Sequence, residues 1–191
     1  MFLLGAAIAT GNPALADFGL ASIVLPALLA LVMIVWLATS PRDGDHPRGA
    51  FRWLGAAYIA FIFLWYEQYK LLGAQGSVDL FTTLTDWAGF PGHEKVMRLG
   101  VGSCEILTSL LILIPRTQGL GGLGAIALMS GAIFFHLVTP LGTDPYGDGG
   151  ILFKEACAVW TSGWIVAFWR RDQLAALGRI LRLPVPHWVD A

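Results

Sequence analysis

Charge is what this sequence has least of. Only 13% of its 191 residues are Asp, Glu, Lys or Arg, roughly half the share usual in a soluble domain. With 56% hydrophobic residues and a mean hydropathy of +0.67, the composition excludes an ordinary soluble globule and predicts an integral membrane protein. A basic excess is also missing. Twelve Lys and Arg stand against thirteen Asp and Glu, with no dense basic stripe interleaved with aromatics, which argues against nucleic-acid binding. Cysteine is scarce too: Cys104 and Cys157 form no C-x-x-C and no metal-ligand spacing, so neither a thioredoxin-type motif nor a metal site is expected. No H-E-x-x-H, G-x-S-x-G or Walker sequence occurs, and His46, His93, His136 and His187 are dispersed. A protease, lipase or ATPase is therefore disfavoured. Internal repeats and low-complexity tracts are absent.

What the chain has in abundance is long apolar runs. About twenty apolar residues suffice to cross a ~30 Å hydrocarbon layer as a helix. Five runs qualify: Phe18 to Ala38, Phe51 to Leu72, Val96 to Pro115, Gly119 to Val138 and Gly150 to Trp169. The predicted fold is all-α and polytopic. Basic residues stay on the cytoplasmic side during insertion. Arg42, Arg48, Arg52, Arg116, Arg170, Arg171, Arg179 and Arg182 fall on one side of the five crossings, whereas Asp79, Asp86, Glu94, Asp144 and Asp148 fall on the other. This predicts an external N-terminus and a cytoplasmic C-terminus in the cell (inner) membrane. Ala14-Leu15-Ala16 resembles a signal-peptide cleavage site, although the leading segment lacks the basic region of such signals.

Two further segments read as surface helices. In "SVDLFTTLTDWAGF", Leu80, Phe81, Leu84 and Trp87 recur at helical spacing with Ser77 as the expected N-cap, so a short amphipathic helix could rest on the outer face; an ordinary loop with buried anchors is the alternative. In the tail, Leu174, Leu177, Ile180 and Leu181 oppose Arg171, Arg179 and Arg182, as suits an interfacial helix near anionic lipid. "GLGGLG", residues 119–124, matches G-x-G-x-x-G but lies between two apolar helices rather than after a strand. It is better read, with Gly121, Ala125, Ala127 and Gly131, as a stripe for close helix approach.

The polar residues within the runs carry the functional signal, because a charge in hydrocarbon costs several kcal/mol and is retained for a partner or a task. Glu67, Lys70, Arg98, Glu105, His136, Lys154 and Glu155 all fall in the outer half of their helices. Glu105 lies deepest of them, ~13 Å in at ~1.5 Å per residue. Four helices collecting ionisable groups in the same outer half predicts one polar chamber opening outward. Glu67 and Lys70 share a face, as do Arg98, Glu105 and Thr108 on the next helix, and Lys154, Cys157, Thr161 and Trp164 on the last. Glu105 requires Arg98, Lys70 or Lys154 as a partner. Three readings stay open: a structural ion-pair network, a site for a ligand or quinone headgroup, and proton or ion handling. Cys104 and Cys157, at similar depth, could form a redox pair if their Cα atoms lie within ~7 Å.

"RWLGAAYIAFIFLWYEQYKLLG", "LGVGSCEILTSLLILIPRTQGLGGL" and "FFHLVTPLGTDPYGDGGILF" together resemble the DoxX-like family of small membrane proteins, over roughly residues 48–172. The resemblance implies a four-helix transmembrane bundle at 48–172. Residues 18–38 then form an additional transmembrane helix, 1–17 an external segment and 173–191 a cytoplasmic amphipathic tail. Relatives include small subunits of a thiosulfate:quinone oxidoreductase, so the resemblance further implies a redox-associated membrane subunit, with Lys70, Glu105 and His136 as its functional residues and quinone as the candidate cofactor. Glu67 departs from the family pattern by adding an acid beside the lysine. No flavin, haem or nucleotide motif is present, so electrons would be carried by an oxidoreductase partner protein. The competing expectation is a noncatalytic scaffold or a small-solute transporter.

Overall fold

The structure, a computed structural model, describes residues 47–180, with side chains from residue 53 onward. The external segment 1–17, the additional span 18–38 and the tail beyond residue 180 lie outside the described residues. Six helices and no strand are present among those described: α1 (Pro47–Leu72), α2 (Gln75–Trp87), α3 (Glu94–Leu113), α4 (Gln118–Val138), α5 (Ile151–Trp169) and α6 (Arg171–Ile180). Three of them, α3, α4 and α5, are long and apolar enough to cross a membrane.

Local chemistry sets where the helices stop. Proline disfavours helical backbone at the residue before it. Accordingly Ile114, before Pro115, is extended (φ −90°, ψ 120°), as is Thr139, before Pro140 (φ −105°, ψ 167°). Gly73, at φ +67°, ends α1 in the left-handed region that favours glycine. The chain then turns straight into α2, whose N-cap is Ala74 rather than the expected Ser77. The Ser77 amide already bonds the Ala74 carbonyl at 2.8 Å, so the helix starts as soon as Gly73 has reversed the chain. Before α5, Asp148 Oδ1 accepts the amides of Gly150 (3.1 Å) and Ile151 (3.0 Å) and caps the helix from two residues upstream.

The four long helices pack as a ring in the order α1, α3, α4, α5, each against its two neighbours. Its centre is filled by Ile59, Phe63, Ile112, Val159 and Val166, all essentially inaccessible. The α3–α4 and α4–α5 seams are closed by small residues. A Cβ on Gly121 would sit 2.5 Å from the Ile112 Cα, and one on Gly122 would sit 3.0 Å from the Ala167 amide nitrogen. Gly131, expected to belong to this stripe, has nothing within 4 Å. Gly131 lines a cavity instead, and the close contact is made by Gly121 and Gly122.

Helix α2 turns Phe81, Leu84 and Thr85 inward, where they are buried, and packs on α3. Its apolar stripe therefore covers the ring. Trp87, 44% exposed, rests edge-on against Phe134 and Phe135. At the opposite end α6 folds back under a clasp of amides. Gln173 Nε2 donates to the Pro115 carbonyl (2.6 Å), Gln173 Oε1 accepts the Gly119 amide (2.8 Å), and Arg170 Nε donates to Gln118 Oε1 (2.7 Å).

Candidate functional site

The C-terminal half of α1, the N-terminal half of α3, the C-terminal half of α4 and the N-terminal half of α5 meet at the same end of the ring, because consecutive long helices run antiparallel. They line a partly open cavity of about 610 Å³, to which α2 and the α4–α5 loop also contribute. Phe63, Met129 and Ala156 form its floor, and Leu80, Phe81 and Leu84 descend into it from α2. Most of the wall is apolar. Its polar groups converge from separate elements: Tyr66, Tyr69 and Lys70 on α1, Asp79 on α2, Glu105 on α3, His136 on α4 and Glu155 on α5.

Lys70 is the hub of one side. Its ammonium donates to Glu67 Oε1 at 3.2 Å and to Glu105 Oε2, with side-chain exposures of 12%, 5% and 6% for Lys70, Glu67 and Glu105. One cation thus serves two buried carboxylates. Glu67 Oε2 has no partner and lies against Gly102, where a Cβ would come within 2.6 Å of it. Gly102 is what lets α3 approach the acid so closely. Of the three cations offered to Glu105 by the sequence, the fold supplies Lys70.

Arg98 stands beside this triad without joining it. Its Nε pairs with Glu94 at 2.9 Å, and its Nη1 donates to the Lys70 carbonyl. A cation on a terminal carbonyl of α1, which otherwise accepts the Gly73 amide at 3.4 Å, also complements the helix dipole. Arg98 therefore supports the end of α1 that Gly73 sets.

On another wall Tyr66 donates its hydroxyl to Glu155 Oε2. Among the described residues no basic side chain lies within ion-pair distance of Glu155. His136, 4% exposed, holds its Nδ1 2.6 Å from the Gly142 carbonyl and its ring edge-on to Phe153. A carbonyl only accepts, so Nδ1 carries a hydrogen and Nε2 is left as an acceptor when the ring is neutral.

The remaining expected residues lie elsewhere. Lys154 is exposed, as are Thr161 and Trp164 on its stripe. The inward face of α5 is instead Ala156, Val159, Gly163 and Val166, because only small or compact residues fit where α5 closes on α4. Cys104 and Cys157 are free thiols, Cys104 exposed and Cys157 half-buried. No group of three metal-ligating side chains occurs among the described residues.

Four contributors were not singled out from the sequence: Tyr66, Tyr69, Asp79 and Tyr146. Tyr66 shares the face of Lys70 at i−4, and Tyr69 follows Tyr66 three residues on, a periodicity visible in "YEQYK" once aromatic hydroxyls are counted as polar. Tyr146 is a matter of tertiary structure. It leans from the α4–α5 loop over the cavity and donates to the Gly76 carbonyl at 3.0 Å, tying loop to lid. Burial, together with the nearby carboxylates of Asp79 and Asp148, pushes its phenol up to about 12. It is a neutral donor across the physiological range. Asp144, in the same loop, is held below the ordinary carboxylate value: slight desolvation opposes this, but the amides of Gly150, Asp148 and Gly149 prevail.

Comparison with protein-family models, with curated proteins and with solved structures finds no match to this chain.

Proposed function

We propose that the chain is a multi-pass membrane protein whose cavity binds a quinone-type headgroup, as the membrane-embedded subunit of a redox-associated system of DoxX-like type. In this reading α1, α3, α4 and α5 form a four-helix transmembrane bundle preceded by one further span. The N-terminus and the α2 lid face outward, and electrons are carried by a partner protein. The observation that carries the reading is the cavity itself: about 610 Å³, largely apolar, with hydrogen-bonding groups converging from five helices. That combination is what small-molecule sites share. Lys70 offers a donor to a carbonyl oxygen, and His136 offers a ring nitrogen able to accept or pass a proton. The ring-lined interior suits a flat aromatic head with an apolar tail. A small sulfur anion is a poorer fit, since Glu67, Glu105 and Glu155 outnumber Lys70.

The test is thermal unfolding of the protein in lipid nanodiscs with short-tailed quinone analogues. Binding to the folded state raises the transition by mass action. The expected result is a saturable rise that Lys70→Met and His136→Ala diminish. Several analogues without effect would overturn the reading.

One observation favours a second reading. Lys70 already has two protein carboxylates around it, as in an ion-pair lock holding α1 to α3. In a noncatalytic scaffold that lock is the whole purpose; in a small-solute transporter the cavity is the route.

A further inference from the structure

The cavity has two poles of opposite character, and the proposed quinone uses only one. At the first, Lys70 is neutralised by Glu67 and Glu105 and has one N–H left to donate. At the second, Glu155 presents a carboxylate that accepts the Tyr66 hydroxyl and that, among the described residues, pairs with no basic side chain. A half-buried carboxylate facing an apolar cavity without a cation is an unusual arrangement, because an ionised group taken from water is ordinarily paired. Aromatic side chains line the same space: Phe63, Tyr66, Tyr69, Phe81 and Phe135. Aromatic walls with one carboxylate are the combination that stabilises an organic cation, through ring quadrupoles and a single counter-charge.

The balance of charge around the space points the same way. The groups bordering it are Lys70, with Glu67 behind it, on α1; Asp79 on α2; Glu105 on α3; His136 on α4; and Glu155 on α5, with the phenols of Tyr66, Tyr69 and Tyr146 between them. Lys70 is the one permanent cation among four acids. Arg98 is engaged with Glu94 and the end of α1, and Lys154 is exposed. We propose that the chamber binds a hydrophobic organic ammonium ion, with Glu155 as its counter-ion and Tyr66 as the group that aims that carboxylate. The inference needs the cavity to be a ligand site but does not need the ligand to be a quinone. A cationic solute with an apolar body is also the class that the transporter reading would carry.

The test uses the full chain in lipid nanodiscs and isothermal titration with benzyltrimethylammonium, its uncharged carbon isostere neopentylbenzene, and a short-tailed quinone. The expected result is saturable binding of the ammonium and at least about ten-fold weaker binding of the isostere, as loss of a desolvated charge interaction implies. Glu155→Gln should weaken the ammonium about ten-fold or more and Tyr66→Phe by a smaller factor, while neither alters the isostere. Asp172→Asn, which removes an exposed acid at the opposite end, should change nothing. Circular dichroism and a thermal transition verify that each variant is folded; if Glu155→Gln fails to fold, Tyr66→Phe and the isostere comparison still decide. Equal binding of ammonium and isostere, or ammonium binding indifferent to both substitutions, overturns the proposal. Quinone binding without ammonium binding sinks this inference alone, whereas binding of neither sinks the ligand-site reading as well.

Discussion

Lys70 holds two carboxylates, and that asymmetry makes its removal different from the removal of either acid. Glu105→Gln leaves a matched Lys70–Glu67 pair. Lys70→Met leaves two buried carboxylates with no counter-charge. Breaking a buried pair so that a charge is stranded costs about 3–5 kcal/mol. Lys70→Met should therefore destabilise the protein by about that much and Glu105→Gln by distinctly less, with the double variant recovering at least about 1 kcal/mol relative to Lys70→Met. Equilibrium unfolding in mixed micelles measures all three. Equal costs for the two single changes would mean that Glu67 does not share the ammonium. The sequence made Lys70 and Glu67 neighbours by their three-residue spacing. It could not choose among the three cations available to Glu105, because that choice depends on which helices adjoin.

At the scale of elements, α4 shows how a stripe of small residues is divided by geometry. Gly121→Ala places a methyl against the Ile112 backbone, and forcing the helices apart should cost about 1–3 kcal/mol. Gly131→Ala meets open space, and the gain in helix propensity should leave it neutral or stabilising by up to about 1 kcal/mol. Thermal unfolding of the two variants side by side checks the contrast. The α4–α5 loop carries a pH prediction. Asp144 has a lowered carboxyl value in the folded state, so its contribution to holding the loop is fully present above its ordinary value of 3.8 and is lost as the pH falls below it. Protection of the Asp148 and Gly149 amides, taken as the exchange rate relative to that of an unstructured amide at the same pH and followed from pH 6 down to about pH 3, should fall at the acid end. Asp144→Asn should remove most of that pH dependence. The amphipathic pattern of α2 was legible at Leu80, Phe81 and Leu84. That its apolar face covers a cavity rather than lipid was not, since a helical stripe records that something apolar lies beneath it and not what.

At the scale of the whole molecule, connectivity gathers charge by end. Short connections between antiparallel helices bring Arg116, Arg170, Arg171 and Arg179 to one end of the ring and Asp79, Glu94, Asp144 and Asp148 to the other. Under the positive-inside rule the α2 end faces outward. A cysteine placed at Asp148 in an otherwise cysteine-free chain should react with an impermeant maleimide on intact cells, and one placed at Arg116 only after lysis. The reverse pattern would invert the topology and turn the cavity toward the cytoplasm.

Among the described residues, the helices and most of their ends were legible in the chain, as were three helices apolar enough to cross a membrane, because hydropathy, prolines and left-handed glycines act locally. The ionisable groups could also be assigned to the same half of their helices, since that needs only a count of residues from a helix end. Tertiary structure decided which of them meet. Lys70, Glu105, His136 and Glu155 border one cavity, while Arg98 caps α1 and Lys154 stays outside, because side-chain direction depends on how each helix is rotated against its neighbours. That rotation is set by the closest contacts, Gly121 on Ile112 and Gly122 on Ala167, which no periodicity within a single helix specifies.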